Sequence, residues 1–88
     1  MREVYITQGV FNSFQLKEHP NENPVKTFNN LEEMIAGLKP YIGTKRKINI
    51  ILEFDKDSYE LISDDLINRY PSEKYPNYDV FNRSQKLR

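Results

Sequence analysis

"KINIILEFDKDSYE", Lys47 to Glu60, runs from the most apolar part of the chain into its most acidic part. Ile48, Ile50, Leu52 and Phe54 share one parity; Asn49, Ile51, Glu53 and Asp55 share the other. Side chains alternate across a strand, so this spacing predicts a strand with one face on a core and the other mostly in water. The acids that follow admit two readings. Glu53, Asp55 and Asp57 would supply the oxygen ligands that a hard cation such as Mg²⁺ needs at a hydrolytic site. Alternatively, Glu53 and Asp55 face solvent and Asp57 caps the next helix. The second reading is favoured, because the remainder of a phosphoryl-transfer site is not legible. Lys56 and His19 lie in no motif, and three glycines form no phosphate-binding loop. A metal-dependent hydrolase is thus disfavoured, and no catalytic residue, metal ligand or cofactor is assigned.

Downstream of the strand, Asp57-Ser58-Tyr59-Glu60 resembles a cap followed by a glutamate, and Tyr59, Ile62, Leu66 and Tyr70 then fall on one helical face. A hairpin turn at Asp55–Ser58 followed by a strand over Tyr59–Ile62 is the competing reading; the helix is preferred. Upstream, Asn29-Asn30-Leu31-Glu32-Glu33 offers an Asn cap with acids in the first turn. Leu31, Met34, Ile35 and Leu38 follow at helical spacing, Pro40 ends or kinks the helix, and Gly43 stops the apolar stripe that Tyr41 and Ile42 continue. Before that lies an alternating segment, Glu3 to Glu18, interrupted by Gly9, which predicts two antiparallel strands. "HPNENP", His19 to Pro24, is a loop.

The expected architecture is α+β: an antiparallel sheet of about three strands in β-β-α-β-α order, packed on one or two helices. Residues 1–70 would form this single domain, and residues 71–88 an extended C-terminal tail rich in Tyr and Pro, docked on the domain or on a partner. Pro71 and Pro76 disfavour helix there.

Composition narrows the class. Eighty-eight residues leave room for one domain, and a hydrophobic content of 38% implies a thin core. There is no cysteine, so no disulfide and no thiolate chemistry. The N-terminus lacks the apolar core of a signal peptide, and the longest aliphatic run, Ile50-Ile51-Leu52, falls far short of a membrane span. The expected setting is a soluble cytoplasmic protein with no membrane role, and nine Asn with abundant Ile and Lys suggest a bacterial or phage source.

A net charge of zero conceals blocks: Lys39, Lys45, Arg46 and Lys47 without an acid, then six acids against Lys56 alone between Glu53 and Asp65, then a basic C-terminus. Segregated charge of this kind steers association. The leading functional class is a non-enzymatic protein-binding module, in the manner of an inhibitor, immunity protein or adaptor that occludes a partner's surface. Tyr70, Tyr75, Tyr78 and Phe81 are the expected anchors, and Asp55, Asp57, Asp64 and Asp65 the steering patch. Nucleic-acid binding is the alternative, with Lys45, Arg46, Lys47, Arg83, Lys86 and Arg88 gripping phosphates. A homo-oligomer is compatible with either.

Overall fold

The computed structural model describes residues 2–83. In chain order its elements are β1 (Arg2–Gln8), β2 (Phe14–Lys17), β3 (Lys26–Phe28), α1 (Leu31–Gly37), α2 (Lys39–Ile42), β4 (Ile48–Glu53), α3 (Lys56–Arg69) and β5 (Tyr78–Asn82). The strands form one mixed sheet in the order β3-β2-β1-β4-β5. β1, β4 and β5 run parallel; β2 and β3 are antiparallel additions on the β1 side. The expectation of a three-stranded antiparallel sheet is overturned by these pairings. β3 adds a strand after the proline loop, and Tyr78–Asn82, expected in an extended tail, supplies another.

The parallel pairings follow from what joins the strands. A parallel pair needs a crossover of about a dozen residues, which only a helical connection provides here. The segment holding α1 and α2 carries the chain from β3, past β2 and β1, to β4, which runs the same way as β3, and α3 carries it from β4 to β5. Both crossovers step the same way across the sheet, so the usual right-handed sense lays both helices on one face. Fourteen residues of α3 rise about 21 Å at 1.5 Å each. That length returns the chain to the start of a parallel neighbour.

One core fills the space between sheet and helices. Val4, Ile6, Leu16, Ile48, Ile50, Leu52 and Phe54 meet Met34, Ile35, Leu38, Ile42, Ile62, Leu66 and Tyr70 there. The alternation read from β4 therefore holds on its helix-facing side. The α1 reading holds in detail: Asn30 Oδ1 accepts from Glu33 N at 2.8 Å, and Glu33 Oε1 accepts from Asn29 N at 3.0 Å. Pro40, unable to donate to Ala36, divides the helical segment at Leu38, and α2 ends at Gly43. Tyr59–Ile62 lies within α3.

Gly37 illustrates how the core constrains a helix. A Cβ there would stand 2.7 Å from Phe28 Cζ and closer still to Cε1, while Phe28 is itself buried. Gly→Ala in a helix ordinarily stabilises by about 0.4–1 kcal/mol. Gly37→Ala is expected to reverse that sign, costing roughly 1–3 kcal/mol through overpacking, as measured by denaturant unfolding.

Candidate functional site

With all helices on one side, the other face of the sheet carries no second layer, and its residues run in rows across the strands. The central row is Lys17, Tyr5, Ile51 and Phe81, each paired with the next in register on β2, β1, β4 and β5. Tyr5 and Ile51 lie outside the helix-side core, yet each is only 8% exposed; Phe81 is 48% exposed. Neighbouring rows are polar: Glu3, Asn49 and Asp79 on one side, Gln15, Thr7 and Glu53 on the other.

Charged side chains frame the apolar row. The Arg83 guanidinium lies 5.2 Å from the centroid of the Tyr5 ring and pairs with Glu53. Lys47 Nζ meets Asp79 at 2.7 Å. The Tyr5 hydroxyl donates to Glu3 at 2.6 Å, and this bond, with burial, raises the phenol above its ordinary value. The arrangement is an aromatic and aliphatic centre within a charged rim. It can recognise a surface, but it presents no nucleophile beside a base.

The structure distributes the expected site residues unevenly. Of the four aromatic anchors, Phe81 alone keeps a half-exposed ring. Tyr70 is 3% exposed and donates from Oη to the Ile35 carbonyl at 2.7 Å. Tyr75 packs edge-on against Tyr70 at 5.2 Å. Tyr78 donates to the Tyr70 carbonyl at 2.7 Å, an acceptor that the end of α3 leaves without a helical donor, and its hydroxyl also lies 3.2 Å from the Leu66 carbonyl, which accepts from Tyr70 N. Tyr5 and Ile51, which the sequence reading did not single out, hold the centre of the open face. The signal for them was their register against Phe81, visible only once the parallel pairing is known.

The acids are similarly dispersed. Glu53 faces Arg83, and Asp55 rather than Asp57 caps α3, accepting from Ser58 N at 2.9 Å. The chain leaves β4 at Phe54 and Asp55 is still extended (φ −67°, ψ 170°), so its carboxylate reaches the first free N–H groups two residues before the expected cap. Asp57 falls in the first turn, Asp64 is exposed and Asp65 half-buried on α3. Among the described residues no cluster of three or more His, Asp or Glu is arranged to hold a metal ion.

Ser58, through its hydroxyl and its backbone N–H, holds the Asp55 carboxyl below its ordinary value near 3.8. A lowered folded-state value means that the charged cap stabilises fully above the ordinary value and ceases to do so as pH falls through the lowered one. Asp55→Asn keeps a capping oxygen and removes the charge. The stability advantage of the native protein over this variant should therefore shrink below about pH 4 in acid-titrated thermal unfolding.

For the nucleic-acid alternative, Lys45, Arg46 and Lys47 precede β4, while Arg83 follows the parallel β5, whose backbone N–H reaches the Leu52 carbonyl. They stand at opposite ends of the sheet, roughly 17–20 Å apart at about 3.3 Å per residue. Lys47 is engaged by Asp79 and Arg83 by Glu53. Lys86 and Arg88 lie outside the described residues.

A second exposed feature is the β1–β2 hairpin tip. Ser13 N donates to Val10 O at 3.0 Å, and the two residues between them, Phe11 and Asn12, have φ of 53° and 63°. Asn tolerates the left-handed region; a bulky Phe does so under strain, and its ring is 96% exposed. Among the described residues, no helix is long and apolar enough to cross a membrane. Comparison with known proteins finds no family model, curated relative or solved structure that matches the chain.

Proposed function

We propose that this protein is a non-enzymatic binding domain that docks the uncovered face of its sheet onto a partner protein. The supporting observation is Phe81, 48% exposed at the end of the Tyr5–Ile51–Phe81 row across three parallel strands, with Tyr5 and Ile51 nearly buried beside it and charged residues on its flanks. Protein interfaces share this anatomy, with aromatic residues central and charges at the rim. A rigid sheet orders few side chains on docking, which limits the entropic cost of association. Arg83 and Lys17 bring positive charge and Glu3, Asp79 and Glu53 negative charge, a mixed rim suited to setting orientation. Occlusion of a partner's surface, as by an inhibitor, immunity protein or adaptor, needs only such a face.

Affinity capture from cells of the source organism tests the reading. Tagged native protein should retain a defined partner, and Phe81→Asp should lose it by more than about tenfold, as expected for a charge placed in an apolar contact. Phe11→Ser, at the hairpin tip, should retain it. Undiminished capture by Phe81→Asp would remove the open face from the mechanism.

A further inference from the structure

The two edges of the sheet are treated differently. β3 is only three residues long and includes Lys26, features by which natural edges resist pairing. β5 has five residues, and within it neither proline nor lysine. Its ladder to β4 is bounded by Asn77 O, which accepts from Ile48 N, and Arg83 N, which donates to Leu52 O. The odd-numbered residues therefore face β4, and the N–H and C=O groups of Tyr78, Val80 and Asn82 point away from the sheet. Tyr59 Oη lies 3.4 Å from the Val80 carbonyl, which leaves that oxygen a second lone pair. Beside this edge runs a groove of about 360 Å³, lined by Tyr59, Ser63 and Ile67 from α3 and by Tyr78 and Val80 from β5. Ile67 is 54% exposed.

We infer that β5 pairs antiparallel with β5 of a second copy, about a two-fold axis through Val80, to give a homodimer with one continuous sheet. Three features of the edge fit that occupant. The outward-facing residues are symmetric about Val80, so Val80 pairs with the second copy's Val80 and Tyr78 with the second copy's Asn82, each pair exchanging N–H and C=O. The groove-lining residues of α3 are symmetric about Ser63, so the same axis sets Tyr59 against the second copy's Ile67, an aromatic on an aliphatic side chain. Strands about 4.8 Å apart, each α3 lying over its own β4–β5 pair, put the two α3 helices roughly 10 Å apart, within the usual range for packed helices. Each groove would thus be filled by the other copy.

Charge agrees on the open face. In this register Asp79 stands beside the second copy's Phe81 and diagonal to its Arg83, and the contact occurs twice around the axis. Asp64 and its symmetry mate flank the helical seam at an exposed position, where water and salt screen their repulsion. The two Phe81 rings become diagonal neighbours, so the dimer doubles the apolar strip without covering it. The inference does not depend on what that strip binds.

The test is sedimentation velocity of the full chain from low micromolar to submillimolar concentration. The native protein should move from a mass of 10.5 kDa toward twice that value. Ile67→Lys alters an exposed side chain of the seam and should weaken association by more than about tenfold. Val80→Pro removes an N–H that the β4 ladder does not use and should do the same, with far-UV circular dichroism unchanged. Should Val80→Pro fail to fold, Ile67→Lys decides alone. A native protein that stays at 10.5 kDa throughout overturns the inference, leaving the edge to a strand from another protein. A dimer undiminished in Ile67→Lys also overturns it and places self-association on the open face or the hairpin tip.

Discussion

Ile50→Ala is expected to remove about 2–5 kcal/mol of folding stability, a large share of the roughly 5–15 kcal/mol that holds a small domain together. Ile50 is fully buried at the middle of β4, with Val4 and Val80 beside it in register and the helices above it. Truncation there loses the transfer energy of the removed carbons and leaves a cavity that strands on both sides keep from collapsing. Its sequence neighbour Ile51 provides the control. Ile51 is also nearly buried, but on the face without a second layer, where water or a shifting side chain can refill the space. Ile51→Ala should therefore lose little beyond the transfer contribution, roughly 2 kcal/mol. Urea unfolding of the two variants, with the denaturant slope unchanged, should place Ile50→Ala below Ile51→Ala. Equal losses would mean that both faces are covered to the same degree, which would contradict an open binding face.

That pair of residues also marks where the sequence was readable. The parity of Ile48, Ile50, Leu52 and Phe54 gave the helix-facing side of β4 correctly, and an Asn cap at Asn29 or Asn30 with the Leu31–Leu38 stripe gave α1, because both signals are local. Strand direction is not local. Ile50-Ile51-Leu52 is a run without alternation, the pattern of a strand shielded on both faces within a parallel sheet. Its middle member reads equally as an isolated exception on a wet face, and that ambiguity hid the parallel arrangement. β3 and β5 went unassigned as strands for a related reason. Lys26–Phe28 follows prolines, and Tyr78–Asn82 follows Pro71 and Pro76, so the turn signals before each strand outweighed short stretches with little apolar alternation. The open face is a consequence of register: Tyr5, Ile51 and Phe81 are far apart in sequence and become a row only when β1, β4 and β5 align.

The aromatic C-terminal segment separates structure from binding, and Tyr70→Ala measures the structural part. Tyr70 ends α3, with its ring among the core side chains, its hydroxyl on the Ile35 carbonyl at 2.7 Å and Tyr75 against its edge. Its truncation should cost about 3–5 kcal/mol, the range for losing a buried aromatic ring, and Tyr75 does not offset the loss, because it packs on the ring being removed. Tyr70→Phe keeps the ring and deprives the Ile35 carbonyl of this donor, for an expected loss of roughly 1–2 kcal/mol. Burial raises the Tyr70 and Tyr78 phenols above their ordinary value near 10. For a phenol, a raised folded-state value means that the unfolded chain ionises first. The stabilisation is complete below about pH 10 and is lost as pH rises through the raised values. Native protein should accordingly lose stability in alkali, and Tyr70→Phe should blunt that loss while leaving the contribution of Tyr78. Phe81→Asp, on the open face, should change the unfolding midpoint far less than Tyr70→Ala. If Tyr70→Ala instead unfolded at the native midpoint and lost only partner capture, Tyr70 would be a binding residue, and the packing of the segment after α3 would have to be redrawn.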